Sequence, residues 1–152
     1  MSNTREVIIP KGMEILYEKY HYCPGVKVGN TLYISGQVGR DANLQVVEET
    51  EAQFVQAFKN VKKVLSAAGA TFDDVVEMIT YHVTGVSAGQ SQAQLSPTSE
   101  QQLLTIPHLP LFIKVKDRYF THRFPTWTGV GITGLSTPGL IVEIKCTAVL
   151  GS

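Results

Sequence analysis

Cysteine is scarce in this chain of 152 residues: there are two, Cys23 and Cys146, and they do not form a CxxC pair. That argues against a disulfide framework or a zinc knuckle and points to free thiols in a reducing compartment. Net charge is missing as well. Thirteen Lys and Arg balance thirteen Asp and Glu, and charged residues make up only 17%, so no global field draws in nucleic acid or an anionic membrane. Little repulsion is left between copies of the chain, which favours self-association. There is no long clean apolar run. The uncharged stretch 124–142 holds two prolines and four glycines, which would leave backbone groups unpaired in lipid, so no membrane span is expected. Residues 1–12 carry Arg5, Glu6 and Lys11 and no apolar core of signal length, so a cytoplasmic protein is expected. His21, His82, His108 and His122 never stand four residues from a carboxylate, and no helical metal site is expected.

What is present suits one globular domain spanning 1–152, since 43% of residues are apolar and the length supports a single core. Val26-Lys27-Val28 and Leu32-Tyr33-Ile34-Ser35, separated by Gly29-Asn30-Thr31, read as a hairpin. Thr50 with Gln53 reads as a capping box. Phe54, Ala57, Phe58, Val61, Val64, Leu65 and Ala68 then recur at helical spacing, with Gly69 as the stop. Gln56, Lys59, Lys62 and Lys63 fall on the opposite face, a solvated surface in preference to a basic ridge for nucleic acid. Residues 75–83 suit a strand, and Phe112, Val115, Tyr119 and Phe120 mark a second helix ended before Phe124-Pro125. Strands are expected at 126–133 and 140–150. This order implies a mixed sheet with both helices on one face, an α/β (α+β) fold whose other face is covered only by oligomerisation. An inserted loop at about 84–110 has Glu100 as its sole charge. It reads as a lid or a mobile excursion, with a short helix to about Thr105 begun by Ser96-Pro97.

Period-two geometry puts Glu143, Lys145 and Thr147 on one face of the last strand and Val142, Ile144, Cys146 and Ala148 on the core face. Glu143 then lies on the face that meets another subunit, either as a desolvated acid or base or as half of an ion pair across the contact. Trp127, Gly129 and Gly131 share a face of the preceding strand. A large aromatic beside two positions without side chains leaves a gap for a flat ligand, unless the indole is simply core.

Gly25-Val26-Lys27-Val28-Gly29-Asn30 with Leu32-Tyr33-Ile34-Ser35-Gly36-Gln37, Ala67-Ala68-Gly69-Ala70-Thr71-Phe72-Asp73-Asp74-Val75-Val76, Val115-Lys116-Asp117-Arg118-Tyr119-Phe120 and Val142-Glu143-Ile144-Lys145 together resemble the RidA/YjgF family. That resemblance implies a chorismate-mutase-like fold assembled as a homotrimer with clefts between subunits. It also implies hydrolysis of reactive enamines and imines of amino acids, with no metal or cofactor. Carried over, its ligand-lining tyrosine falls on Tyr22, its backbone-contributing glycine on Gly36 and its water-positioning glutamate on Glu143. Its substrate-gripping arginine falls on Trp127, and the small residue two positions on is Gly129. A guanidinium grips a carboxylate with two parallel hydrogen bonds, whereas an indole offers one donor and no charge. The Pro125-Thr126-Trp127 pattern resembles the YjgH-like branch of the family, and Arg123 or Lys145 is left as a substitute cation. The reading is a homotrimer that binds a small flat metabolite, as a divergent deaminase-like hydrolase or as a non-catalytic sensor. Ribonuclease activity, ascribed to relatives of the family, fits poorly with zero net charge and no histidine pair.

Overall fold

A computed structural model describes residues 4–85, 88–89 and 106–152. In chain order its elements are β1 (Arg5–Ile8), α1 (Glu14–Glu18), β2 (Gly25–Val28), β3 (Thr31–Ile34), β4 (Gln37–Val38), α2 (Thr50–Ala67), β5 (Val75–Val83), α3 (Leu109–Lys116), β6 (Thr126–Ile132) and β7 (Val142–Val149). The hairpin, the first longer helix and the last three strands stand where the sequence pattern predicts them, while α3 starts as expected but ends at Lys116, so Tyr119 and Phe120 follow the helix and do not lie in it. β1 and α1 were not anticipated. Arg5, Glu6 and Val7 are exposed on an edge strand, where charge breaks the apolar alternation, and α1 is too short to show a period. The expected helix to Thr105 and most of the expected insertion lie outside the described residues.

The seven strands form one sheet in the order β1-β2-β3-β7-β5-β6, with β4 also against β7. β5 and β6 run parallel and the other pairs antiparallel. A parallel pair needs a long crossover, and the chain between Val83 and Thr126, which includes α3, supplies it. The sheet is therefore mixed, and α2 and α3 pack together on one face. Phe58 stacks between Phe112 of α3 at 5.5 Å and Tyr119 at 4.8 Å, and Phe54 meets Phe112 edge-on at 5.4 Å. Each fully buried phenylalanine contributes on the order of 1.5–3 kcal/mol, so this aromatic row is the main tie between the helices. Lys59, Lys62 and Lys63 are exposed, as a solvated helix face requires.

The expected capping box is replaced by a different arrangement. Glu49 caps α2, its carboxylate accepting from the backbone N–H groups of Glu51 and Ala52. Gln53 is buried. Its amide donates to the Val47 and Gly139 carbonyls and accepts from the Ile141 N–H, so it braces the helix against the entry to β7. A glutamine one turn into the helix satisfies three backbone groups there, two of them buried, whereas a cap could use water instead. Gly69 ends the helix at φ 75°, a left-handed value that glycine adopts without steric cost. No helix among the described residues is long and apolar enough to cross a membrane.

Candidate functional site

Strand β7 alternates strictly: Val142, Ile144, Cys146 and Ala148 are buried under the helices, while Glu143, Lys145 and Thr147 are half-buried on the other face. Cys146 is a core residue whose thiol is pushed up to about 12 by burial. At the end of β7 where Glu143 stands, the neighbouring chain changes register. β3 pairs Tyr33 with Thr147, and β4 pairs Gln37 with Ile144, so one side advances four residues while β7 retreats three. The extra residue is a bulge at Ser35-Gly36, and such bulges bend a strand and re-aim what lies beside it. Because Gly36 has no side chain, the Glu143 carboxyl group occupies that space. A Cβ at Gly36 would stand 2.6 Å from Glu143 Cδ and 2.8 Å from Oε1.

The third residue arrives from the N-terminal side. His21 follows α1 with φ 57°, and this left-handed turn sends Tyr22 toward the bulge. Tyr22, Ser35, Gly36 and Glu143 line one cavity of about 480 Å³, closed on its apolar side by Leu16, Val38 and Leu44. Burial raises the pKa of Glu143, with the Arg40 charge opposing the shift. Burial raises Tyr22 as well, opposed by Arg40 and reinforced by Glu143. A carboxyl group with a raised pKa, beside a phenol and backbone groups, can hold a water molecule and exchange a proton with it.

Arg40 and Leu44 are among the cavity residues that the sequence does not single out. In sequence, Gly39-Arg40-Asp41-Ala42-Asn43-Leu44 is an ordinary polar turn, and only the bulge and the helix behind it turn Arg40 inward. Leu44 sits at φ 61°, an uncommon backbone for a branched apolar residue. It is held there because the Asp41 carboxylate accepts from the N–H groups of Asn43 and Gln45.

Trp127 and Gly129 are placed elsewhere. In register, Trp127 pairs with Met78 and Gly129 with Thr80, both buried beneath the helices, while Glu143 pairs with Tyr81 on the other face. Within one chain Trp127 and Glu143 are thus on opposite sides of the sheet. The gap expected over Gly129 and Gly131 is not open. The indole N–H donates to Thr80 Oγ1 at 2.9 Å, which draws the ring over Gly129 so that a Cβ there would be 3.9 Å from indole atoms. Thr84 covers Gly131 in the same way, at 3.1 Å. Phe112 packs on the indole at 6.0 Å and the Lys116 ammonium lies 5.5 Å over it, leaving Trp127 36% exposed. Thr80 also meets His82 Nε2 at 2.7 Å. Burial depresses that imidazole to about 4, so it is neutral at pH 7 and able to accept the Thr80 hydroxyl hydrogen.

Neither substitute cation considered from the sequence lines the cavity. Arg123 donates to the Ser152 carbonyl, and Lys145 lies two residues along β7 from Glu143, paired with Ile79.

Residues 15–96 match the family described as Endoribonuclease L-PSP. The RutC family protein YjgH of Escherichia coli K12 is 28% identical over 144 residues, covering 95% of this chain and 94% of that protein. The solved structure of protein YjgH superposes with a TM-score of 0.75 at 28% identity, covering 97% of this chain and 98% of that one. A RutC family protein of Saccharolobus solfataricus is 32% identical over 84% of this chain and 85% of its own. A 2-iminobutanoate/2-iminopropanoate deaminase of Mus musculus is 44% identical over a shorter match, 37% of this chain and 43% of its own. With the bulged strand, the helix-backed mixed sheet and these matches along most of its length, the chain belongs to the RidA/YjgF family, the endoribonuclease L-PSP family, and has the fold of that family.

Proposed function

We propose that this protein is a homotrimer that binds a small planar metabolite carrying a carbon–nitrogen double bond, and hydrolyses it with Glu143 holding the attacking water. The observation that carries the reading is the Glu143 carboxyl group seated over Gly36 on the wall of a cavity that also presents Tyr22. Support comes from the deaminase named among the family's relatives and from the half of the sheet that neither long helix covers. Tyr33 on that face is 51% exposed and Val130 36%, as a surface awaiting another subunit would be.

In the reaction, the Glu143 carboxylate accepts a proton from water as the oxygen adds to the imine carbon, and passes that proton to the imine nitrogen, giving a neutral tetrahedral adduct. The carboxylate then takes the adduct's hydroxyl proton and hands it to the nitrogen as the C–N bond breaks, so that ammonia leaves, a carbonyl remains and Glu143 is ionised again. Exclusion of bulk water by a second subunit would strengthen each of these contacts. No step draws on a metal or an organic cofactor. The cavity, Glu143 and Tyr22 are one half of such a cleft, and Trp127 and Gly129 belong to it only as residues of the adjoining subunit.

A second reading, a non-catalytic ligand sensor, is favoured by Trp127 at the position of the family arginine, tied into its own subunit by Thr80 and Phe112. One experiment separates the two. An imine is generated in place from an amino acid by an amino acid oxidase, and its decay is followed with wild type and Glu143→Gln. Acceleration by wild type that the variant loses supports hydrolysis. Equal decay with and without wild type, together with a thermal shift by a metabolite panel, supports the sensor.

A further inference from the structure

We infer that Arg40 is the anion-gripping residue of the Tyr22–Glu143 cavity and that the ligand it selects is a small monocarboxylate with a short aliphatic body. This rests on the reading of that cavity as a ligand site and adds to it the residue and charge that set its specificity. Among the described residues lining the cavity, Arg40 is the one cation. Its guanidinium forms no hydrogen bond or ion pair with the described residues, unlike Arg118, which pairs with Glu51, and Arg123, which donates to Ser152. A planar fork of donors left open at a cavity wall matches a carboxylate.

The arm that carries it is held rigidly from behind. Asn60, buried on α2, donates to the carbonyls of Val38 at 2.8 Å and of Arg40 itself at 2.9 Å. Gly39 between them lies so close to α2 that a Cβ would stand 2.3 Å from Gln53 Cγ. Binding therefore orders little besides the guanidinium itself, which lowers the entropic cost. Strain points to the same place. Among the described residues, the two non-glycine positions with left-handed backbone are His21, which precedes Tyr22, and Leu44, which closes the Arg40 turn. Conformations of this kind persist where surrounding structure enforces them, and they concentrate at ligand sites. Leu44 joins Leu16 and Val38 as an apolar wall facing the polar side, and a cavity of about 480 Å³ suits a molecule of metabolite size. An anionic end at Arg40 and a short apolar body against Leu44 use both walls.

Titration calorimetry with pyruvate and with its neutral amide, 2-oxopropanamide, tests this on the full chain. Wild type should bind pyruvate more tightly than the amide. Arg40→Met should lose roughly 10- to 100-fold of the pyruvate affinity and leave that for the amide unchanged, and Arg40→Lys should retain part of it. Unfolding midpoints equal to wild type show that the variants fold. Pyruvate bound equally by wild type and Arg40→Met overturns the assignment, as does amide bound by wild type as tightly as pyruvate. Wild type binding neither probe also overturns it. The hydrolytic reading is judged separately by the loss of imine turnover in Glu143→Gln.

Discussion

Glu143 occupies the space that a side chain at Gly36 would need, its Cδ only 2.6 Å from where a Cβ would stand. Gly36→Ala must therefore move the carboxyl group, and because the crowded atoms belong to the end of a flexible side chain, the fold can yield at little cost. The variant should unfold within about 1 kcal/mol of wild type, below the usual range for overpacking a rigid core. It should also lose most of the imine turnover, about 100-fold, the scale of a misplaced general base. Urea unfolding beside the oxidase-coupled assay checks both halves.

Glu143 also sets a pH dependence. Burial raises its folded pKa above the usual 4.5, so the folded state holds its proton to higher pH than the unfolded state does. Its contribution to stability is whole below pH 4.5 and is lost as pH rises through the folded value. Glu143→Gln cannot ionise, and its urea midpoint should therefore gain on wild type across that window. Turnover runs the other way, because the base acts only when ionised: wild-type rate should climb with pH through the same interval.

His82 has the opposite sign. Its imidazole is depressed to about 4 by burial against 6.5 in the unfolded chain, so the unfolded state binds the extra proton first. Stability from this group is complete above pH 6.5 and is lost as pH falls toward 4. His82→Leu should flatten that fall in urea midpoints measured between pH 7 and pH 4. At pH 7 it should be less stable by about 1–3 kcal/mol, because the buried Thr80 hydroxyl loses its acceptor.

The layers of the fold were legible because they rest on period. Apolar residues at helical spacing in α2 and strict alternation in β7 each reappear as a buried face. Tyr22, Gly36 and Glu143, singled out through the family motifs, line one cavity. Arg40 and Leu44 were not legible, since a turn's local sequence does not say which way it faces. Here the direction is decided by a one-residue bulge, by Asn60 more than one element away, and by an Asp41 carboxylate that forces left-handed backbone on a leucine. The open gap expected beside Trp127 failed for a related reason: the partner that pulls the indole over Gly129 is Thr80 on another strand.

The single tryptophan of the chain makes the assembly testable by fluorescence. Trp127 lies on the helix-covered side of the sheet and Glu143 on the other, so a ligand in the Tyr22–Glu143 cavity of an isolated chain has the whole sheet between it and the indole. In a closed homotrimer with clefts between subunits, the exposed edge of Trp127 from one subunit can border the cavity of the next. Ligand binding should then change Trp127 emission. Sedimentation at micromolar concentration should give three times the chain mass, and dilution below the dissociation range should abolish the emission change together with ligand affinity. Replacing Tyr33 on the open face by a charged residue, as in Tyr33→Glu, should produce a folded monomer that retains the Trp127–Thr80 bond but no longer reports ligand. A monomeric wild type would show that the cleft is not shared between subunits, and an emission change that survives in the Tyr33→Glu monomer would show that Trp127 responds to the ligand within its own chain.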